Sequence, residues 1–204
     1  MGQRLLVGRR SCLPSCYLLA CAGRPVRLKS CNVSRVTFMG NQNSPIPAAA
    51  VAFVRDTDLG IEVYLSRRPP HFRYYPGAFV FPGGRVDSED ADIRATARRE
   101  IMEEIGIEID ISRLVPLRDI HTSAHAGPVY HMLTFAYPVV DEFSTTLNVE
   151  EVEEEMWIGA RDALIQLDLP YQIRAAVFTI AQFGSVADLL GALAAGSINE
   201  DYLI

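Results

Sequence analysis

The sequence predicts an α/β protein, because strand-like and helix-like patterns alternate along one chain. Two apolar runs, Ala48 to Val54 and Ile61 to Leu65, flank turn residues, which is typical of a β-hairpin. Apolar residues then recur every four positions from Ile93 to Ile105, which predicts a helix, and Gly106 suits the left-handed residue at its C-terminus. With 204 residues, 49% of them hydrophobic and 22% charged, the chain fits one globular domain.

Residues 1–45 differ in composition from the rest of the chain. The first 55 residues hold eight of the 19 basic residues and none of the 25 acidic ones. This start resembles a transit peptide, Leu18 to Cys21 resembles a lipoprotein cleavage site, and an artefactual start before Met39 is the third alternative. We expect residues 1–45 to be a disordered, targeting or artefactual segment and residues 46–204 to form the folded domain, with a helical C-terminal portion.

Cysteine usage indicates the compartment. All four cysteines lie between Cys12 and Cys31, so the predicted domain needs no disulfide. We therefore expect a cytoplasmic protein, or one of an organellar matrix if the first segment is a transit peptide. No run of about 18 apolar residues predicts a membrane span.

The segment after the hairpin, Arg67 to Pro76, is rich in arginine and aromatic residues. Arginines beside Phe72, Tyr74 and Tyr75 suit phosphate binding and stacking on an adenine ring. The alternative is a solvated loop that pairs with the acidic helix.

The predicted helix carries three glutamates at i, i+3 and i+4. Glu100, Glu103 and Glu104 converge on one face, where like charges repel unless a positive group lies among them. Glu104 falls close to the apolar stripe, so we expect it to be partly buried. An uncompensated buried carboxylate is costly, which favours a divalent cation or a paired arginine. In the alternative interpretation the face is solvated, with Arg98 and Arg99 as simple helical partners.

The remaining elements are expected to be structural. The three histidines that follow the helix (His121, His125 and His131) are expected to be loop or strand residues without a catalytic role. Strands are predicted at Leu114–Ile120, Val129–Val140 and Met156–Ile158, and helices at Ala163–Leu167, Gln172–Phe183 and Val186–Ala194.

Two motifs in this chain resemble those of the Nudix hydrolases. Arg99 to Ile107 reads REIMEEIGI and is similar to the Nudix box core R-E-U-x-E-E-x-G-U, where U is aliphatic; Phe81 to Gly84 reads FPGG and precedes it. The resemblance covers about residues 45–165. It implies a Nudix-type α/β/α sandwich with a central mixed sheet and a catalytic loop-helix-loop. Counted from Gly84, Arg99 comes one residue late, and the acid of the loop is represented by Glu89, Asp90 or Asp92.

The resemblance also implies the roles of particular residues. It implies Mg²⁺ or Mn²⁺ as cofactor and Arg99 as the residue that orients a glutamate. The proton of the attacking water passes to one of the glutamates or to a carboxylate outside the helix, since family members differ in this residue, and we name Glu103. The implied metal ligands are Glu100, Glu103, Glu104 and Glu151, and the implied substrate-binding residues are Arg67, Arg73, Gly83 and Gly84.

The loop sequence GGRVDSED and the upstream arginines are similar to the coenzyme A diphosphatase branch of the family. Arg67, Arg73 and Gly77 are in register with that branch, whereas Val63 to Leu65 and the pair Arg68-Pro69 depart from its pattern. This implies hydrolysis of coenzyme A or an acyl-CoA to 3′,5′-ADP and (acyl-)phosphopantetheine. NADH, ADP-ribose or another dinucleotide, and a non-catalytic ligand sensor, are the alternatives.

The expected partner is a small nucleotide-derived substrate. The acidic domain disfavours nucleic acid, no membrane contact is predicted, and a homodimer is left open.

Overall fold

The computed structural model describes residues 44–121 and 129–196. Nearly all of the predicted N-terminal segment 1–45, and His125, lie outside these ranges. None of the described helices has the length and apolar character needed to cross a bilayer. The elements are β1 (Ile46–Thr57), β2 (Gly60–Arg67), β3 (Phe79–Val80), β4 (Gly83–Arg85), α1 (Ile93–Ile105), a 3₁₀ turn (Ile111–Arg113), β5 (Val115–His121), β6 (Tyr130–Pro138), β7 (Glu154–Gly159), α2 (Ala160–Gln166), α3 (Tyr171–Ile180) and α4 (Val186–Ala194).

The described strands form one mixed sheet. Its main path runs β3-β2-β1-β6-β5, while β4 pairs with β1 and β7 pairs with β2. Strands β1 and β6 are parallel, and the other pairs are antiparallel. The predicted hairpin is confirmed by the β1–β2 pairing, although its turn is tighter than expected, with only Asp58 and Leu59 between the two strands.

Helices cover both faces of this sheet, and β1 shows how. Because side chains alternate along a strand, Ala50, Ala52 and Val54 belong to a core with α2, α3 and α4. Ala49, Val51 and Phe53 belong to a second core with α1. A central strand that is buried on both faces explains the unbroken apolar run in the sequence. The predicted α/β/α sandwich with a mixed sheet is confirmed.

Strand β4 was not among the strands predicted from the sequence. Gly83 and Gly84, which the resemblance implies as substrate-binding residues, pair with Ala50 and Ala49 of β1. Gly83 has φ +149°, and a Cβ there would overlap the carbonyl oxygen of Ala49. The absent side chain at Gly83 therefore permits a close approach to the neighbouring strand β1.

Candidate metal and substrate site

The ends of α1 are held by their own caps, which fixes the turn that carries the glutamates. At the N-terminus, the Asp92 side chain accepts hydrogen bonds from the backbone N–H groups of Arg94 and Ala95, both at 2.9 Å. At the C-terminus, Gly106 has φ +70° and its N–H donates to the Met102 carbonyl. Both the helix and its left-handed C-terminal residue agree with the sequence prediction.

Glu104 is the most buried of the acidic residues on α1. Only 8% of the residue is exposed, and its Oε2 accepts a hydrogen bond of 3.0 Å from the Gly83 N–H. Burial raises the pKa of Glu104 to about 8, and the charges of Glu100 and Glu151 act in the same direction. Within the described part of the chain, no ion pair reaches this carboxylate. The predicted burial of Glu104 is confirmed.

Glu100 lies one turn before Glu104, with 13% of its side chain exposed. Burial raises its pKa, against the lowering effect of Arg99, whose Nη1 donates to Glu100 Oε1 at 2.9 Å. A Cβ on Gly84 would overlap the Glu100 carboxylate. Gly84 therefore leaves the space in which this carboxylate lies.

Arg99 connects the helix to the loop that precedes it. Its guanidinium donates two hydrogen bonds of 3.0 Å to the two oxygens of Asp90 and one of 2.9 Å to the Arg85 carbonyl. Asp90 also accepts from the Thr96 hydroxyl and the Asp87 N–H, both at 2.8 Å. Burial acts to raise the pKa of Asp90, but these donors hold it below its usual range. The hydrogen bonds to Asp90 in turn raise the pKa of Arg99.

These contacts separate the three loop acids that the sequence left as alternatives. Asp90 accepts both ends of the Arg99 guanidinium, and Asp92 caps the helix. Glu89 is exposed. Asp90 is thus the loop acid that fixes the arginine of the motif.

Glu103 is half-exposed and takes part in the same network. Its Oε2 accepts a hydrogen bond of 2.9 Å from Arg99 Nη1, the nitrogen that also donates to Glu100. The alternative interpretation expected simple helical partners for the glutamates, and the i, i+4 ion pair between Arg99 and Glu103 is present. The buried Glu104 carboxylate is present as well. The role of Glu103 in accepting a proton stays a prediction.

Glu151 comes from outside the helix. The loop before β7 docks on the C-terminal turn of α1, where the Asn148 N–H donates to the Glu104 carbonyl at 2.9 Å. The Glu151 N–H donates to the Asn148 carbonyl, also at 2.9 Å. The charge of Glu151 raises the pKa of both Glu100 and Glu104, so its carboxylate lies near theirs. Glu151 thus acts electrostatically on these two glutamates of α1, and its role as a metal ligand stays a prediction.

This set of carboxylates fits a hard divalent cation. All its donors are oxygens, which Mg²⁺ and Mn²⁺ prefer, and a bound cation would stabilise the charged form of Glu104. No three of the described acids on α1 bring their oxygens within 4.8 Å of one another. To hold one ion, these carboxylates would have to move closer together or bind it partly through water, and Mg²⁺ commonly keeps several water ligands.

A cavity of about 180 Å³ adjoins the cluster through β4. Gly83, Gly84 and Arg85 line it, together with Arg68 and aromatic residues from the loop after β2 and from β6 (Tyr74, Tyr75 and Tyr130). Typical pockets for small ligands measure roughly 300–1,000 Å³, so this cavity has room for one portion of a larger substrate.

Arg68 is the cation that the sequence analysis missed. It lines the cavity, its Nε donates to the Tyr74 carbonyl at 3.1 Å, and its guanidinium lies 4.5 Å from the centre of the Phe72 ring. Burial lowers its pKa, and the negative charge of Glu104 acts in the opposite direction. Arg68 lines the same cavity as Gly83, whose N–H donates to Glu104.

The structure does not bring the two predicted arginines to this cavity. Arg67 donates to the Gly77 carbonyl and pairs with Glu153 and Glu154 at 3.7 and 3.3 Å. Arg73 is exposed. Because neighbouring side chains of an extended segment point in opposite directions, only the register distinguishes Arg67 from Arg68, and the motif pointed to Arg67.

Comparison with known proteins identifies a family to which this sequence is similar. Residues 45–179 match the family model described as the NUDIX domain. A protein of Enterobacter sp. (strain 638) named uncharacterized Nudix hydrolase NudL is 38% identical over 85 residues, which are 40% of this chain and 43% of that protein. The protein of the same name from Salmonella paratyphi B is 35% identical over 85 residues, with the same coverage. The matches therefore span less than half the length of these relatives.

Among solved structures, the fold is similar to that of a NUDIX hydrolase from Alicyclobacillus acidocaldarius. The TM-score is 0.66 at 19% identity, over 76% of this chain and 97% of that one. The NUDIX domain of Shewanella oneidensis NrtR, solved with ADP ribose, has a TM-score of 0.56 at 14% identity, over 66% of this chain and 85% of that one. With the family model covering about two thirds of the sequence, the chain belongs to the NUDIX domain family.

Proposed function

We propose that this protein hydrolyses a diphosphate linkage in a nucleoside diphosphate derivative, with Mg²⁺ or Mn²⁺ as cofactor. The observation that carries the proposal is the buried Glu104 carboxylate, which is subject to the negative charges of Glu100 and Glu151 and has no ion-pair partner in the described part of the chain. Such a group is costly unless a cation compensates it. A diphosphate is a substrate whose charge divalent cations can bridge to carboxylates.

Glu100, Glu104 and Glu151, with Glu103 at the exposed side, would hold the cation. When bound, the cation would neutralise the diphosphate oxygens and make a water molecule a better nucleophile. The chain's own contribution is to keep the carboxylates in place. The Gly83 N–H orients Glu104, and Arg99, held by Asp90, orients Glu100 and Glu103.

We further propose Glu103 as the residue that accepts the proton of the attacking water. Half of its side chain is exposed, so it is the carboxylate of α1 with the best access to solvent beside the buried pair. Arg99 donates to one of its oxygens, which leaves the other oxygen to accept a proton. Arg99 acts as a positioning residue in this scheme.

Coenzyme A or an acyl-CoA is the substrate we propose first. The resemblance of the loop and of the upstream segment to the coenzyme A branch supports it, as does a cavity with two arginines beside tyrosine rings. Arg68 and Arg85 are the cations that we assign to substrate phosphates, in place of the predicted Arg67 and Arg73. NADH, ADP-ribose and related dinucleotides are the competing substrates.

The test is a product assay with full-length protein and Mg²⁺ or Mn²⁺. Coenzyme A, NADH and ADP-ribose are incubated in parallel, and Glu104→Gln serves as the control that removes one ligand charge. The proposal is supported if the wild type consumes coenzyme A faster than the other two substrates and forms 3′,5′-ADP, while Glu104→Gln forms none. Preference for a dinucleotide would reject coenzyme A and keep the diphosphatase. Substrate binding without turnover would favour the ligand sensor.

A further inference from the structure

A second group of metal-ligating side chains lies on β5 and β6, away from the residues assigned above. Asp119 and His121 are two positions apart on β5, so they lie on the same face of the sheet. His131 of β6 is the direct cross-strand partner of His121, and the two imidazole rings lie 4.5 Å apart. Strand β5 is at the edge of the main sheet path, and all three side chains are exposed.

The geometry is close to that of a shared metal ion. The His131 Nε2 lies 2.6 Å from Asp119 Oδ1, and one ligand atom from each of the three residues lies within 4.8 Å of the other two. Ligands around one Zn²⁺ at about 2.0–2.2 Å are roughly 3.4 Å apart in a tetrahedral site. All three side chains are exposed, so they are free to rotate by the amount that would close this difference. In residues 44–121 and 129–196, no other group of three such ligands meets this criterion.

We propose that Asp119, His121 and His131 bind one divalent transition-metal ion, with Zn²⁺ as the best match. Two imidazole nitrogens and one carboxylate oxygen suit Zn²⁺ and its neighbours in the first transition row. The all-oxygen cluster on α1 suits Mg²⁺ instead, so the two sites differ in selectivity. Three protein ligands leave a fourth position for water.

The ion would join the end of β5 to the start of β6. His121 is the last residue of β5 and His131 is the second residue of β6, and the register places them opposite each other. A metal bridge at this point stabilises the folded state by binding to it alone. We therefore expect a structural effect of Zn²⁺ that is independent of hydrolysis.

The experiment measures Zn²⁺ bound per full-length chain by equilibrium dialysis, with excess Mg²⁺ present to compete with Zn²⁺ for all-oxygen sites. His121→Gln and His131→Gln are compared with the wild type, and His71→Gln is the matched control because His71 is also exposed but lies in the loop after β2. Each test variant is expected to bind one Zn²⁺ fewer per chain, whereas the control binds as many as the wild type. Any zinc bound elsewhere, for example by the cysteines, cancels in this comparison.

Thermal unfolding supplies the second readout. At a Zn²⁺ concentration about one hundred times the Kd, the wild type and His71→Gln are expected to gain roughly 5 °C or more in Tm, and the two test variants to gain clearly less. Equal Zn²⁺ binding and equal Tm shifts in all four proteins would overturn the proposal. Loss of hydrolase activity is not used, so the result is independent of the proposed function.

Discussion

Replacing Glu104 by Gln tests whether one buried carboxylate controls the stability of the metal-free protein. Its pKa is about 8 in the folded state and 4.5 as an ordinary glutamate. Between these values the folded protein retains a proton that the unfolded chain has released, so the free energy of unfolding falls as pH rises. Gln cannot ionise but keeps an oxygen to accept from the Gly83 N–H.

The size of the effect follows from the pKa difference. At 1.36 kcal/mol per pKa unit, the contribution of Glu104 to stability declines by up to about 5 kcal/mol between pH 4.5 and pH 8. Glu104→Gln should therefore be close to the wild type below pH 5 and more stable near pH 8. For a domain of this size, 1 kcal/mol corresponds to roughly 2–4 °C, so the Tm difference at pH 8 reaches about 10 °C or more.

The assay is thermal unfolding in EDTA, followed by circular dichroism from pH 4.5 to 8.5. Glu103→Gln is the matched control, because Glu103 is on the same helix but half-exposed. Its pH profile should follow that of the wild type. Excess Mg²⁺ should remove most of the wild-type decline, since the cation stabilises the ionised carboxylate. Parallel pH profiles for Glu104→Gln and the wild type in EDTA would refute the reasoning.

Three further predictions concern neighbouring residues. Arg99→Lys keeps the positive charge but loses the forked hydrogen bonds of the guanidinium. In a Mg²⁺ titration of activity, kcat and the apparent Mg²⁺ affinity should each fall about 10- to 100-fold. An unchanged titration would contradict the positioning role of Arg99. Arg68→Ala should raise KM roughly 10-fold or more, because charge-assisted hydrogen bonds to the substrate are lost. Arg73→Ala should leave KM unchanged. Equal KM values for the two variants in steady-state kinetics would argue against the cavity as the substrate site. Gly83→Ala should lose about 3 kcal/mol or more of stability in urea unfolding, and a wild-type midpoint would show that β4 can move away from β1.

The parts of the fold that the sequence predicts well are those with a strong period. Helix α1 is predicted by apolar residues at every fourth position, and its C-terminus is predicted by Gly106. The burial of Glu104 is predicted by its angular position on the helix, close to the apolar stripe. Helix boundaries are predicted less well where turns continue past the helix. After α3, the Gln182 and Phe183 N–H groups still donate to the Thr179 and Ile180 carbonyls, but in turns of three residues. Helix α3 ends at Ile180, although apolar residues continue to Phe183.

The parts that could not be predicted depend on contacts between distant segments. Glu89, Asp90 and Asp92 are chemically similar, and only the position of Arg99 across the loop selects Asp90. The three-residue strand β4 carries no period that a sequence pattern can detect. Only its hydrogen-bonded pairing with β1 defines it as a strand.

The two adjacent glycines of β4 show how the sheet and the site depend on each other. Gly83 lacks a side chain because β1 occupies that space, and its N–H orients Glu104; Gly84 lacks one because the Glu100 carboxylate occupies that space. A Cβ on Gly83 meets rigid backbone, whereas a Cβ on Gly84 meets the end of a side chain that can move. Changes at Gly83 must therefore alter stability and cation binding together, while changes at Gly84 displace Glu100 and weaken cation binding with less cost to the fold.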